Sequence, residues 1–397
     1  MNTPLDIKKR NAVLSRMAEL VRQEESILLS ANAKDITSFA SEDIAMVDRL
    51  KLNGDKMDEM ISSLKKLIAL ADPLHVERFQ FIHDNGLEIS NRTAPFGTVL
   101  IIYESRPDVT IEAAAIAFKS GNKILLKGGK ESLNSNLALV DLWHKALEDC
   151  ECSREWITYL NYTREETQQF LEKPTQKLDL IVPRGGEPLI AFVKQHANCP
   201  VIVSGRGNNF VYVAPEADLQ MAIDIIINAK ASKISACNAL DKVIISRELP
   251  RKQEFLKHLV LALKKFDVQI VTDAKLAGLE GTTEMENESV WHEEFLDYKI
   301  VIGQVPDLEA AIELINTYSG GHSASIITSN EEEAETFMQM VDCAAVYHNA
   351  STRFTDGGQF GLGGELAIGT DKLHQRGPIG LQHLVTNKWY VKGSGQV

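Results

Sequence analysis

The chain has 397 residues, 44% of them hydrophobic, and a formal charge of −13 from 42 basic and 55 acidic side chains. That length exceeds what one hydrophobic core usually organises, so two or three domains with ample buried area are expected. The acidic balance excludes a general affinity for nucleic acid or for anionic membrane surfaces, both of which need a basic field, so an anionic ligand has to meet local positive charge.

The first ten residues lack an apolar core followed by a small-residue cleavage site, and no run of about 18 apolar residues occurs, so a cytoplasmic chain is expected. From Ala12 to Leu70 apolar residues fall at helical spacing, as in Val13, Leu14, Met17, Leu20 and Val21, which predicts a set of amphipathic helices. Past Pro73, Phe79, Phe81, Leu87 and Ile89 alternate with polar residues around Asn85-Gly86, the pattern of a hairpin. Short apolar runs at Thr98 to Tyr103, Lys123 to Leu126, Asp179 to Val182, Val201 to Val203 and Phe210 to Val213, with helix-length segments such as Val109 to Phe118 between several of them, predict a parallel α/β sheet. A second α/β block is expected from Lys242 to Tyr347, with strands near Val243 to Ile245, Gln269 to Val271, Lys299 to Ile302 and Ser325 to Thr328. A glycine-rich tail follows from Phe354 and closes on Trp389-Tyr390-Val391-Lys392, read as a last strand.

The five cysteines (Cys150, Cys152, Cys199, Cys237, Cys343) are too scattered for a disulfide framework or a zinc site, and no His-Glu-x-x-His occurs, so no metal is expected. Cys237 stands apart because it lies between an apolar helical stretch (Met221 to Ala229) and an apolar strand (Val243 to Ser246). A lone cysteine usually packs as a small hydrophobe. At a junction between elements, backbone N–H groups and a cation such as Lys233 can instead stabilise a thiolate.

Gly205-Arg206-Gly207 imitates a dinucleotide fingerprint, but it lacks the third glycine and leads into a strand. Ile124 to Lys130 is better placed: a strand end, then two glycines and two lysines before a helix, suited to phosphate or ribose unless it is a solvated turn. Pro183-Arg184-Gly185-Gly186 repeats this logic one strand later. Asn349 to Gly358 clusters hydroxyls, an amide and the Arg353 guanidinium, which suits a carboxylate or phosphate unless Arg353 only pairs with Asp356. His322 sits in a glycine-flanked loop before a strand, a position that favours ligand contact.

Taken together, Pro95-Phe96-Gly97, Tyr103-Glu104-Ser105-Arg106-Pro107, Lys127-Gly128-Gly129-Lys130-Glu131, Pro183-Arg184-Gly185-Gly186, Cys237-Asn238 and Ala350-Ser351-Thr352-Arg353-Phe354-Thr355-Asp356-Gly357-Gly358-Gln359-Phe360-Gly361-Leu362-Gly363 resemble the γ-glutamyl phosphate reductase family of the aldehyde dehydrogenase superfamily. The resemblance runs in the same motif order over the whole chain, and the Ala350 to Gly363 stretch is highly specific to the family. It implies an NADPH-dependent reduction of L-glutamyl 5-phosphate to L-glutamate 5-semialdehyde, with release of phosphate, in proline biosynthesis. It also implies an α/β fold of two parallel-sheet domains with a small β oligomerisation arm. The expected boundaries are 1–85 and 98–229 for an NADP(H)-binding domain, 230–365 for a catalytic domain, and 86–97 with 366–397 for the arm.

By the same resemblance Cys237 is the nucleophile that carries a thioester, with Asn238 beside it and Ser105 as an oxyanion donor together with the Cys237 backbone N–H. Lys127, Gly128, Lys130, Pro183, Arg184, Gly185, Gly186 and Glu294 are expected to bind NADP(H), Lys130 attracting the 2′-phosphate where NAD-preferring relatives commonly place Glu. Arg106, His322, Ser351, Arg353, Phe354 and Thr355 are expected to bind substrate. No carboxylate occurs in Ser204 to Gly207, where hydrolytic relatives activate water, which fits chemistry that hands an acyl group between phosphate and thiol. The chain departs from the family pattern at Lys233-Ile234, Asn209-Phe210, Leu314 and Ala324. A homodimer or higher oligomer is expected, with glutamate 5-kinase as a further partner. A coenzyme-A-acylating aldehyde dehydrogenase and an inactive scaffold that binds that kinase are the alternatives.

Overall fold

The computed structural model describes residues 5–39, 44–373 and 375–397. The chain divides into two compact units, one running to Ser204 and taking in Gly361–Ala367 and Pro378–Val397, the other comprising Gly205–Phe360 and Ile368–Gly377.

The first unit opens with helices α1 (Ile7–Gln23), α2 (Glu25–Ser38), α3 (Ile44–Leu50) and α4 (Gly54–Ala69). Asp6 caps α1 by accepting from Lys9 N at 2.8 Å, and Asn53 caps α4 by accepting from Lys56 N at 2.8 Å, so each helix begins at the first residue able to satisfy an orphan N–H. The predicted apolar stripe of α1, Val13, Leu14, Met17, Leu20 and Val21, is fully buried in the unit's main core.

Strands β1 (Glu77–Ile82) and β2 (Glu88–Pro95) form the expected hairpin, and β2 pairs on its other side with the C-terminal strand Val385–Lys392, giving a three-stranded antiparallel sheet. β1 therefore belongs with the arm, whereas the sequence reading left it in the cofactor domain.

Then come β3 (Thr98–Tyr103), α5 (Val109–Lys119), β4 (Lys123–Lys127), α6 (Leu133–Asp149), β5 (Ile157–Tyr159), α7 (Arg164–Glu172), β6 (Leu180–Arg184) and α8 (Glu187–His196). The strands form a parallel sheet in the order β5-β4-β3-β6. The chain steps outward from β3 to β5 and returns to the opposite side of β3, so a topological switch point lies between the carboxyl ends of β3 and β6. Val201 to Val203 adds only a single bridge, Ile181 to Val201, rather than a strand.

The second unit contains β7 (Asn209–Val213), α9 (Leu219–Ala231), β8 (Leu240–Ser246), α10 (Lys252–Lys264), β9 (Gln269–Thr272), β10 (Thr283–Glu284), β11 (Lys299–Val305), α11 (Leu308–Tyr318), β12 (Ser323–Ile327), α12 (Glu331–Met340) and β13 (Ala345–His348). All seven strands run parallel in the order β10-β9-β11-β8-β7-β12-β13. β7, β8 and β12 are buried along their whole lengths, the property of central parallel strands covered on both faces. β7, assigned from the sequence to the first sheet, is thus central to the second, and the division falls at 204/205 rather than 229/230.

Candidate active site

Cys237 is half-buried in the turn between α9 and β8, at the amino edge of the second sheet. Its backbone is clamped from beneath. Asn209 Nδ2 donates to the carbonyls of Gly207 (2.8 Å), Cys237 (2.8 Å) and Ala239 (2.6 Å). A Cβ at Gly207 would overlap the Cys237 carbonyl and lie 2.6 Å from its Cα, so only glycine lets that strand entry pass so close.

Asn238 is buried and locks the turn to the Ser351–Thr355 segment, its Nδ2 donating to Arg353 O (3.2 Å) and Thr355 O (2.9 Å), while Thr352 Oγ1 donates to Asn238 O (2.9 Å). Asn238 acts here through its amide as a positioning group for the turn. Ser351 is buried and its Oγ accepts from Arg353 N at 3.3 Å. Arg353 Nε donates to Ser232 Oγ at 3.1 Å, so this one residue reaches both ends of the cysteine turn. Burial pulls the guanidinium down from the usual arginine range, and the charges of Cys237 and Asp356 oppose that pull. Asp356 Oδ1 is taken up by the N–H groups of Gly358 (2.8 Å) and Gln359 (3.1 Å). Phe354 points its ring to solvent.

Thr355 is the hub of a buried hydroxyl chain: its Oγ1 lies 2.7 Å from both Ser323 Oγ and Tyr347 Oη, and Ser323 Oγ lies 2.8 Å from His322 Nδ1. His322 is fully buried, and burial drives its pKa down to about 4, so the imidazole is neutral at neutral pH. Its Nε2 has no hydrogen-bond partner among the described residues. Glu294 is half-buried on a segment held against the start of β8, where Lys242 Nζ donates to Glu293 O (2.7 Å) and Phe295 N donates to Asp241 Oδ2 (2.9 Å).

The remaining candidates gather at the carboxyl edge of the first sheet. Lys127 ends β4, its Nζ donating to Gly128 O at 2.9 Å, and burial lowers its pKa against the pull of Glu131. Gly128 is buried and Lys130 exposed. A side chain at Gly128 would run into Asn136 and Tyr103. Pro183 is buried and Arg184 half-buried at the end of β6, with Gly185 and Gly186 exposed before α8. Gly186 N donates to Glu104 Oε2 at 3.0 Å, so a carboxylate already sits at the start of that helix.

Ser105 is buried with a positive φ of 44°, and both its N and Oγ donate to Glu131 Oε1 at 2.7 Å. The expected oxyanion donor is therefore engaged by an internal carboxylate. Arg106 is exposed and ion-paired with Asp108 at 2.9 Å. Among the described residues no group of three or more His, Cys, Asp and Glu is placed to hold a metal ion, and no helix is long and apolar enough to cross a membrane.

The model of the Aldehyde dehydrogenase family matches residues 3–277 and 283–390. The chain belongs to the aldehyde dehydrogenase family. It is 41% identical over 392 residues to a γ-glutamyl phosphate reductase of Clostridium perfringens, covering 98% of this chain and 94% of the relative. It is 40% identical over 394 residues to the enzyme of that name from Enterococcus faecalis, covering 99% and 94%. The crystal structure of γ-glutamyl phosphate reductase from Thermotoga maritima superposes with a TM-score of 0.94 at 38% identity, over 99% of this chain and 95% of that one.

For a member of the aldehyde dehydrogenase family, Cys237 at a helix–strand junction is where a sequence reading places the nucleophile. Missing from that reading were the residues that shape the turn, Gly207, Asn209, Thr352, Ser323 and Tyr347; separately, in the first unit, it missed Glu131, which takes the donors of Ser105. Asn209 was visible only as a departure from the family pattern. Its three acceptors come together only when β7 lies beside β8, a pairing that local sequence does not encode.

Proposed function

We propose that the protein reduces L-glutamyl 5-phosphate to L-glutamate 5-semialdehyde and phosphate, with NADPH as the reductant, in the cytoplasmic synthesis of proline. The observation that carries this reading is the clamped turn at Cys237, in a chain that matches γ-glutamyl phosphate reductases over nearly its full length. The Cys237 thiolate attacks the acyl carbon of the substrate. The bond from that carbon to the phosphate oxygen breaks, and phosphate leaves with the electron pair, giving a thioester. When bound, the reduced nicotinamide would supply a hydride to the thioester carbon; the C–S bond then breaks, Cys237 leaves as the thiolate, and the semialdehyde is released. In the first unit Lys127, Lys130 and the Pro183–Gly186 loop are the groups that would hold the nucleotide, and the Lys130 ammonium favours a 2′-phosphate. Asn238 and Asn209 fix the turn, so the sulfur does not have to reorganise for the reaction.

Mass spectrometry under turnover tests this directly. An acylated peptide containing Cys237 is expected, together with oxidation of the semialdehyde by NADP+ that requires phosphate and ignores coenzyme A. A requirement for coenzyme A instead would make the enzyme an acylating dehydrogenase. Absence of any acylated Cys237 would end the proposal.

The arm supports self-association. Phe79 and Trp389 flank Asn91, and Phe81 and Val391 flank Ile89, so four exposed apolar side chains share one face of the three-stranded sheet, with the Phe79 and Trp389 rings 5.9 Å apart. A second copy of the chain covering this face would bury it and protect its strand edges. Light scattering should report a dimer or higher oligomer that a Phe79→Asp, Trp389→Asp double variant dissociates.

A further inference from the structure

We propose that Arg353 is the group that binds the phosphate of the acyl phosphate, holding it as it leaves the acyl carbon and presenting it in the reverse reaction. The assignment rests on the reductase reading above and names the ligand of one residue within it.

The segment 351–355 brings several polar side chains to the cysteine turn, and the structure accounts for most of them internally. Thr352 Oγ1 is spent on Asn238 O, Ser351 Oγ on Arg353 N, and Thr355 Oγ1 on Ser323 and Tyr347. The Arg353 guanidinium is different. One nitrogen, Nε, is anchored on Ser232 Oγ at 3.1 Å, which fixes the plane of the group, while Nη1 is buried with no hydrogen-bond partner among the described residues. A buried guanidinium N–H without an acceptor is costly, and the cost is recovered when an anion with matching geometry arrives.

Three features select phosphate as that anion. Arg353 is tied to both ends of the cysteine turn, its carbonyl accepting from Asn238 Nδ2 and its Nε donating to Ser232 Oγ, so an anion it holds is bound beside the turn that carries the sulfur. Asp356, the nearest acid in sequence, has Oδ1 committed to two backbone N–H groups, so it is held as a loop cap. A chain with net charge −13 repels a dianion in general and needs one fixed fork of donors at the point of use. In the forward direction the charge stabilises the leaving phosphate as the C–O bond breaks. In reverse, a phosphate oxygen attacks the thioester carbon, the C–S bond breaks, and the thiolate departs with the electron pair.

The test uses the full-length enzyme and its Arg353→Lys, Arg353→Gln and Ser232→Ala variants, with folding checked by circular dichroism. Two measurements are made: the phosphate dependence of semialdehyde oxidation, and the protection of Cys237 from iodoacetamide by inorganic phosphate. Loss of the bidentate fork should raise the KM for phosphate roughly tenfold or more in Arg353→Lys and further in Arg353→Gln, and weaken protection in parallel. The pre-steady-state burst of NADPH in the absence of phosphate should persist in Arg353→Lys. Ser232→Ala, which keeps the guanidinium but frees its anchor, should show a smaller rise and decides the matter if the arginine variants misfold.

An unchanged phosphate KM and unchanged protection, or a rise in the KM for the semialdehyde alone, would overturn the assignment and make Arg353 a ligand for the substrate carboxylate. A wild-type enzyme without a phosphate-independent burst would count against the thioester reading instead. The protection experiment would then still judge the phosphate site by itself.

Discussion

The two sheets carry their chemistry at opposite edges. In the first unit the candidate residues follow the carboxyl ends of β3, β4 and β6, and two of them already donate to internal carboxylates: Ser105 to Glu131, and Gly186 to Glu104. In the second unit Cys237 and His322 precede β8 and β12 at the amino edge, and there the hydrogen bonds hold the frame while polar atoms on it have no partner among the described residues: Arg353 Nη1, His322 Nε2 and Asn238 Oδ1. The difference teaches how each region meets a ligand. In the first unit the Ser105 and Gly186 donors are already committed to the protein's own carboxylates. The cysteine turn is instead fixed before substrate arrives, which is what a reacting atom requires.

The widest break in this comparison is Cys237→Ala. Removing the sulfur should lower phosphate-dependent oxidation of the semialdehyde by at least about 10⁴-fold if it carries the acyl intermediate as proposed. The turn is held by backbone carbonyls and amide side chains that the substitution leaves in place, so the melting temperature should scarcely move. Calorimetry beside the rate assay checks both halves.

A smaller effect comes from His322, whose burial gives the second unit a pH response of its own. Its pKa is about 4 in the folded protein against an ordinary value near 6.5, so the unfolded chain binds the proton more tightly and stability rises with pH between those values. The contribution is complete above about pH 6.5 and is lost progressively as pH falls toward 4, reaching on the order of 3 kcal/mol. His322→Gln should flatten the dependence of melting temperature on pH across that window relative to wild type. Parallel curves for the two proteins would contradict it.

For the first unit, Lys130→Glu exchanges an attractive charge for a repulsive one where the ribose 2′-phosphate is expected. The KM for NADPH should rise about tenfold or more while that for NADH falls, and the Cys237 alkylation rate should stay as in wild type. Equal changes for both cofactors would mean that Lys130 faces some other part of the nucleotide.

The sequence carried the period-2 and period-3.6 patterns, and with them α1, the hairpin, β3, β4, β8, β9, β11, β12 and the last strand. It also carried the thiol at a helix–strand junction and the glycine loops after β4 and β6. It was silent where placement depends on contacts far apart in the chain. Phe210 to Val213 reads as an apolar strand whichever sheet it joins, and only its pairing with β8 and β12 puts Asn209 under the cysteine. The resemblance makes Ser105 an expected oxyanion donor, but local sequence does not reveal that Glu131, 26 positions away, accepts from both its N–H and its hydroxyl. Val201 to Val203 has strand composition, yet it follows Pro200 and makes only the Ile181 bridge.

Tyr347→Phe should produce the smallest effect and separates frame from chemistry most cleanly. Burial raises the phenol pKa to about 12, so it does not titrate in the working range, and its Oη bonds only to Thr355 Oγ1 among the partners described. Deleting it leaves Thr355 bonded to Ser323, and Asn238 Nδ2 bonded to Thr355 O. The expected loss is therefore about 1 kcal/mol of stability, with kcat and both KM values within about twofold of wild type. If the hydroxyl chain instead transmits to the cysteine turn, kcat will fall further than stability does, and restoring stability with a lower assay temperature will not recover it. Measuring kcat and the unfolding midpoint on the same preparation distinguishes a buttress from a coupled part of the site.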